Sequence, residues 1–259
     1  MSAPTVDEPT RPRSRRQFIE LLKVEGKLAL REPYAALGGI GLPVVLLALF
    51  AWISQQNPGN VGDSGQTIID LWTPTILVIS FIAISGSLPQ TLVRDREIGW
   101  LRRVSTTPVH PWRLLAAQLT FNAILAAVAV LVIIPGGALV FGASLHVQVL
   151  PFAVSLVLAV AEIFSIGLVL VALIPTQTVS QVVAGVVFFA QMFLSGLWVN
   201  PAQVGDPLRT IMYYSPSGAA AKALLDSVFN GRPSYAALLT MVVYTVIFGF
   251  ISVRYFRWE

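Results

Sequence analysis

The 259-residue sequence contains no cysteine, only two histidines and few charges: Asp, Glu, Lys and Arg together make up 12% of it, where soluble domains carry roughly a quarter. Without cysteine, neither disulfides nor thiolate chemistry enters, and the redox compartment is left open. His110 and His146 stand far apart, and no metal-ligand spacing or Ser/His/Asp set accompanies them. No G-x-x-x-x-G-K-[ST] loop is present to hold a nucleotide phosphate. No basic patch interleaved with aromatics goes with the net charge of +4, which argues against nucleic-acid binding. We therefore expect a chain that is not an enzyme and carries no cofactor or metal of its own.

What the sequence has instead is apolar length. Hydrophobic residues make up 55% of it, and they gather into runs of about twenty, enough to cross a hydrocarbon core of roughly 30 Å as a helix. Six runs stand out: Ala35 to Ser54, Ile69 to Leu92, Ala116 to Phe141, Val149 to Ile174, Val179 to Val199 and Tyr235 to Tyr255. Six such runs on short polar connectors leave too little polar sequence for a wetted surface, so the fold class is all-α, a polytopic membrane protein. Fourteen of the 17 basic residues fall in Met1 to Tyr34, in the connector after the second run and at the C-terminus. Only Arg209, Lys222 and Arg232 fall on the other side, so the positive-inside rule places both termini and that connector in the cytoplasm.

The connectors differ in kind. Residues 1–14, rich in Pro, Thr, Ser and Arg, are expected to be disordered, and the N-terminal segment is too charged for a signal peptide, so no processing is expected. From Ser14, the residues Phe18, Leu21, Leu22, Leu28 and Ala29 share a helical face, with Arg16, Lys23 and Lys27 largely outside it, Glu25 interrupting it and Pro33 ending it. This pattern fits an amphipathic helix lying on anionic lipid headgroups, or else a plain charged juxtamembrane segment. Residues Gln55 to Ile68 read as a flexible external loop, and Pro175 to Thr178 as a minimal cytoplasmic turn. Between the fifth and sixth runs, SPSG and NGRP bound stretches suited to short helices at the outer interface or dipping back into the protein. Pro135-Gly136-Gly137 should break or bend the third span near its outer end.

The connector after the second run, VRDREIGWLRRVSTTPVHPWRLL from Val93 to Leu115, is a charged island in a greasy chain. A helix over about 93–107 would place Asp95 and Glu97 early and Arg102 and Arg103 late, matching its dipole, before Pro108 and Pro111 break it. By charge alone the island is either a handle for another protein or a topological loop. Residue order adds more. The positions Arg96, Glu97, Gly99, Leu101, Arg102, Arg103, Thr107, Pro108 and Trp112 resemble the cytoplasmic segment between spans two and three of ABC type-2 exporter permeases, in a branch similar to drug-exporting members. Trp100 departs from the small hydroxyl residue often found after the Gly in that pattern. The segment FLSGLWVNPAQVGDPLRTIMYYSPSGAAAKALLD is similar to the family's Ser-Gly exit from the fifth span and its Tyr-x-x-Pro element. The resemblance covers most of residues 15–259.

The resemblance implies a permease in the plasma membrane of a bacterium, paired with an identical or related permease subunit and two cytoplasmic ABC ATPase subunits, which would hold the ATP and Mg. It implies that the island is the coupling helix, with Arg96, Glu97, Gly99, Leu101, Arg102, Arg103, Thr107 and Pro108 as the ATPase-coupling positions. It also implies a route between protomers lined by the second and fifth spans, where Phe188, Phe189, Met192 and Phe193 would suit an amphiphilic drug or lipid. Export of a polysaccharide or glycolipid is the alternative within the superfamily. Glu162, the one formal charge well inside a run, keeps another class open: an ion-coupled transporter or an intramembrane enzyme. It should avoid lipid, held as a neutral acid, by donors such as Asn122, Gln177 or Gln181, or against a watered path, and its role is either structural or in substrate handling.

Overall fold

The computed structural model describes residues 22, 26–27, 37–57, 66–99, 111–145 and 147–256, the side chains of 111–114 excepted. The stretch 1–14 and most of the amphipathic segment lie outside the described residues; of the latter, Leu22, Gly26 and Lys27 are helical. Regular structure among the described residues is entirely helical. In chain order, α1 covers Leu37–Gln56, its first turn of π type, α2 Ile68–Glu97, and α3 Pro111–Pro135, prolonged by a π turn over Gly136–Val140. Then come α4 Val149–Leu173, α5 Gln177–Leu194, α6 Asp206–Tyr214, α7 Pro216–Phe229 and α8 Tyr235–Tyr255. Six of these, α1 to α5 and α8, are long and apolar enough to span a membrane, as expected.

The span boundaries move where polar chemistry, not hydropathy, ends a helix. Thr67 and Asp70 form a capping box that starts α2: the Asp70 Oδ2 accepts from the Thr67 backbone N–H at 2.7 Å and from its hydroxyl at 2.8 Å. The other end of α2 runs five residues past Leu92, through Glu97, and stops where Gly99 takes φ +70°, a left-handed turn that favours glycine. The fifth span ends at Leu194, short of the expected Val199, because Ser195 and Gly196, with φ +89°, turn the chain out of the helix. The ring of Pro135 and the two glycines after it do change the third span, whose hydrogen-bond register widens into the π turn before Phe141.

The helix α2 is the axis of the molecule. It packs against α1, α3, α4, α5 and α7, and 78% of its most apolar window is buried, against 17–44% for the other spans. Lipid is as apolar as leucine, so close backbone approach and interhelical hydrogen bonds do much of the packing that water would drive in a soluble core. Gly167 shows this on α4: a Cβ there would stand 2.5 Å from the Ser85 hydroxyl and 2.9 Å from the Ser85 carbonyl. That carbonyl has lost its usual helical donor to Pro89, and the Ser85 hydroxyl itself donates across to the Ile163 carbonyl at 2.8 Å. Ser80 likewise donates to the Gly39 carbonyl of α1.

At one end of the bundle, α6 and α7 form a cap. Ser215 accepts from the Gly218 N–H at 3.2 Å, and Pro216 opens α7 without needing a donor. Ala219, Ala220, Ala223, Leu224 and Val228 are buried in the main core, so α7 dips back into the protein. Ser217 donates to the Gln191 carbonyl of α5 at 2.9 Å and Ser227 pairs with Ser155 of α4 at 2.8 Å. α6 instead keeps Ile211 and Tyr214 exposed.

Candidate functional site

The end opposite the cap carries the beginning of the charged island. Val93 to Glu97, expected in a separate coupling helix, are the last residues of α2 itself, followed by the turn at Ile98 and Gly99. Leu101, Arg102, Arg103, Thr107 and Pro108 lie outside the described residues, as do Trp100, His110 and His146; Trp112 begins α3, its side chain undescribed. Arg96 and Glu97 both turn back into their own chain. The Arg96 guanidinium donates to the Val171 carbonyl at 3.3 Å and to the Ile174 carbonyl, both at the C-terminal end of α4. Glu97 Oε2 accepts from the backbone N–H of Gln177, the first residue of α5, at 2.8 Å. A cation thus sits at the negative end of one helix and an anion at the positive end of the next, across the Pro175–Thr176 turn. Sequence reasoning marked both residues as coupling positions without finding these partners, which lie 75, 78 and 80 residues away.

Glu162 lies midway along α4, 0% exposed, and neither carboxyl oxygen has a hydrogen-bond partner among the described residues. The donors expected for it are elsewhere. Asn122 accepts from Ser87 at 3.4 Å, Gln177 is at the far end of the helix beside Glu97, and Gln181 is exposed on α5. The carboxyl group is therefore kept from lipid by packing alone, an arrangement a neutral acid tolerates far better than an ion. Among the described residues, the Gln191 Oε1 and the Ser180 hydroxyl of α5 are the other buried side-chain polar atoms left without partners.

The α5 residues divide between two faces. Met192, 4% exposed, and half-buried Phe188 pack into the core, whereas Phe189, 64% exposed, and Phe193 point outward with Val182 and Val186. Spacings of four, three and four residues align those four into one apolar stripe. A small cavity between α2, α4 and α5 is bordered by Ser85, Gly167, Phe188 and Gln191. Under the cap, a larger one of about 120 Å³ is lined by Trp72, Thr75, Ser195, Tyr213, Lys222 and Asp226, among others. There Lys222 pairs with Asp226 at 3.2 Å and lies 4.9 Å from the Tyr213 ring centre, and the Trp72 indole donates to the Leu197 carbonyl at 3.1 Å. Sequence reasoning did not bring Tyr213, Lys222 and Asp226 to this cavity and missed Asp70, although T-x-x-D ahead of an apolar run is a capping signature.

A bundle of six membrane-length helices, one of them buried at its centre, with a charged segment at one end and a helical cap at the other, defines a multi-pass membrane protein. Residues 16–229 match the ABC-2 type transporter family, and the chain belongs to that family. It is similar to two provisionally named transport permeases. One is ycf38 of Cyanophora paradoxa, 29% identical over 156 residues that cover 57% of this chain and 51% of that protein. The other is YvfS of Bacillus subtilis (strain 168), 21% identical over 243 residues that cover 90% of this chain and 94% of that protein. The chain therefore spans about half of the first relative's length and nearly all of the second's. The resemblance drawn from the island and from the segment after the fifth span holds at the level of the family.

Proposed function

We propose that this permease is the membrane subunit of an ATP-driven exporter that moves a hydrophobic or amphiphilic compound, a drug or a lipid, out of the cytoplasm or inner leaflet. It works as a dimer with an identical or related permease and with two cytoplasmic ATPase subunits that hold the ATP and Mg. The observation that carries this reading is family membership over residues 16–229. The fold supports it: the island is attached to α2, the span that packs against four of the other five, α1, α3, α4 and α5, so displacement at its cytoplasmic end reaches the centre of the bundle. The positive-inside rule puts the island on the ATPase side. In the island, Leu101, Arg102, Arg103, Thr107 and Pro108 meet the ATPase. The outward stripe of α5, with Phe189 and Phe193, faces the second permease and the substrate route, whose adaptable aromatic walls suit amphiphiles.

Glu162, buried and without partners among the described residues, serves the route from behind, where it favours substrates that bring a hydrogen-bond donor or a positive charge. The experiment is transport into inverted vesicles carrying the permease with its ATPase, using a panel of hydrophobic compounds. Uptake that requires ATP and stops with orthovanadate is expected. Uptake that ignores ATP but collapses with a protonophore would instead establish an ion-coupled transporter.

A further inference from the structure

We infer that Arg96 and Glu97 form an internal clamp that fastens the α4–α5 turn to the end of α2, so that the island, α4 and α5 move as one body. This deepens the exporter reading and rests on it. Three observations carry it. First, the two residues are adjacent, yet their charges are opposite and each is matched to the helix end it meets: Arg96 to the carbonyls of Val171 and Ile174, Glu97 to the N–H of Gln177. Second, the turn they hold has little else to hold it. Pro175, Thr176 and Thr178 are exposed, and α4 and α5 touch each other only sparsely, each packing much more extensively on α2. Third, α2 ends at Glu97 and Gly99 takes a left-handed turn directly after it, so the fastening lies at the very end of α2.

Arg96 and Glu97 are thereby positioning residues. They convert movement of the island into movement of α4, which carries Glu162, and of α5, which carries Phe189 and Phe193. Were α2 to move without the clamp, α4 and α5 could lag behind it, and ATP would be spent without opening the route.

The absence of native cysteine makes the test direct. Ile98 and Thr178 are exposed, one on each side of the clamp. Both are changed to cysteine and bridged by a short bifunctional reagent in the complete complex with its ATPase. If the two segments travel together, the bridged complex keeps its ATP-dependent transport; if they must separate, bridging stops transport and cleaving the bridge restores it, which overturns the proposal. In a second arm, Arg96→Met with Glu97→Ala removes the charged contacts while the methionine keeps an apolar stem. Transport should fall about tenfold or more, about 1.4 kcal/mol in coupling, while ATP hydrolysis persists, and bridging Ile98→Cys to Thr178→Cys in that background should restore much of the loss. Equal losses of hydrolysis and transport, or no rescue by the bridge, would mean that the two residues only hold the fold together. A wild-type complex with no ATP-dependent transport would sink the exporter reading itself, a result separable from failure of the variants alone.

Discussion

Asp70 is 3% exposed, and both of its oxygens are occupied: Oδ2 by the Thr67 N–H and hydroxyl, Oδ1 by the N–H of Ser144 at 2.6 Å. One carboxylate thus starts the central helix and ties down the segment that leaves α3. Asn at this position offers a single acceptor oxygen, so its amide NH2 must face one of the two backbone donors. A buried donor left without an acceptor costs about 1–3 kcal/mol, so Asp70→Asn should lose about 2 kcal/mol and Asp70→Ala, which abandons both donors, about 4 kcal/mol. At about 2–4 °C per kcal/mol for a chain of this size, the melting midpoint should fall by about 4–8 °C and about 8–16 °C respectively. The assay is fluorescence-detected melting of the purified protein in detergent, with Asp206→Ala as the control; Asp206 is an exposed acid of α6. That control should change stability by no more than about 0.5 kcal/mol. If Asp70→Asn melts with the wild type, or Asp70→Ala melts with the control, the dual role of this carboxylate is wrong.

Glu162→Gln should insert and assemble at wild-type yield, since the side chain has no partner to lose among the described residues, while lowering vesicle transport of cationic compounds about tenfold more than of neutral ones, a difference of about 1.4 kcal/mol; equal effects on both would remove Glu162 from substrate handling. Gly167→Ala forces a Cβ against Ser85 of α2 and should destabilise by about 1–3 kcal/mol. Gly185→Ala, whose Cβ would meet nothing within 4 Å, should leave the melting midpoint unchanged or slightly raised. The contrast is read in the same melting assay, and equal behaviour of the two variants would contradict the close packing of α4 on α2.

The six spans were legible in the sequence because crossing a bilayer demands uninterrupted apolar length, which no local detail can hide. Which span sits in the middle was not. The most apolar window of α2 is less apolar than those of four of the other five spans, yet α2 is the most buried. In lipid, an apolar side chain reads alike whether it faces a neighbouring helix or a hydrocarbon tail, so hydropathy carries little signal of burial. The extra residues of α2 escaped for a related reason: Arg94, Asp95, Arg96 and Glu97 end the apolar run but not the helix, because their charged groups are satisfied beside it. The charges of Arg96 and Glu97 were plain in the sequence and their partners were not, since those partners are backbone groups that any residue type supplies. Glu162 was singled out by its cost in lipid, but the donors proposed for it were chosen by composition, and depth along the helices separates Gln177 from it.

The central claim is that the island side of this ABC-2 permease is where the ATPase acts. A photo-crosslinking amino acid placed at Arg102 or Thr107, in membranes containing both proteins, tests it most directly, with the same probe at Asn230 beyond α7 as the opposite-end control. The account predicts that the island probes capture the ATPase subunit and the Asn230 probe does not. Capture from Asn230 alone, or from neither end in membranes where the two proteins co-purify, would contradict it.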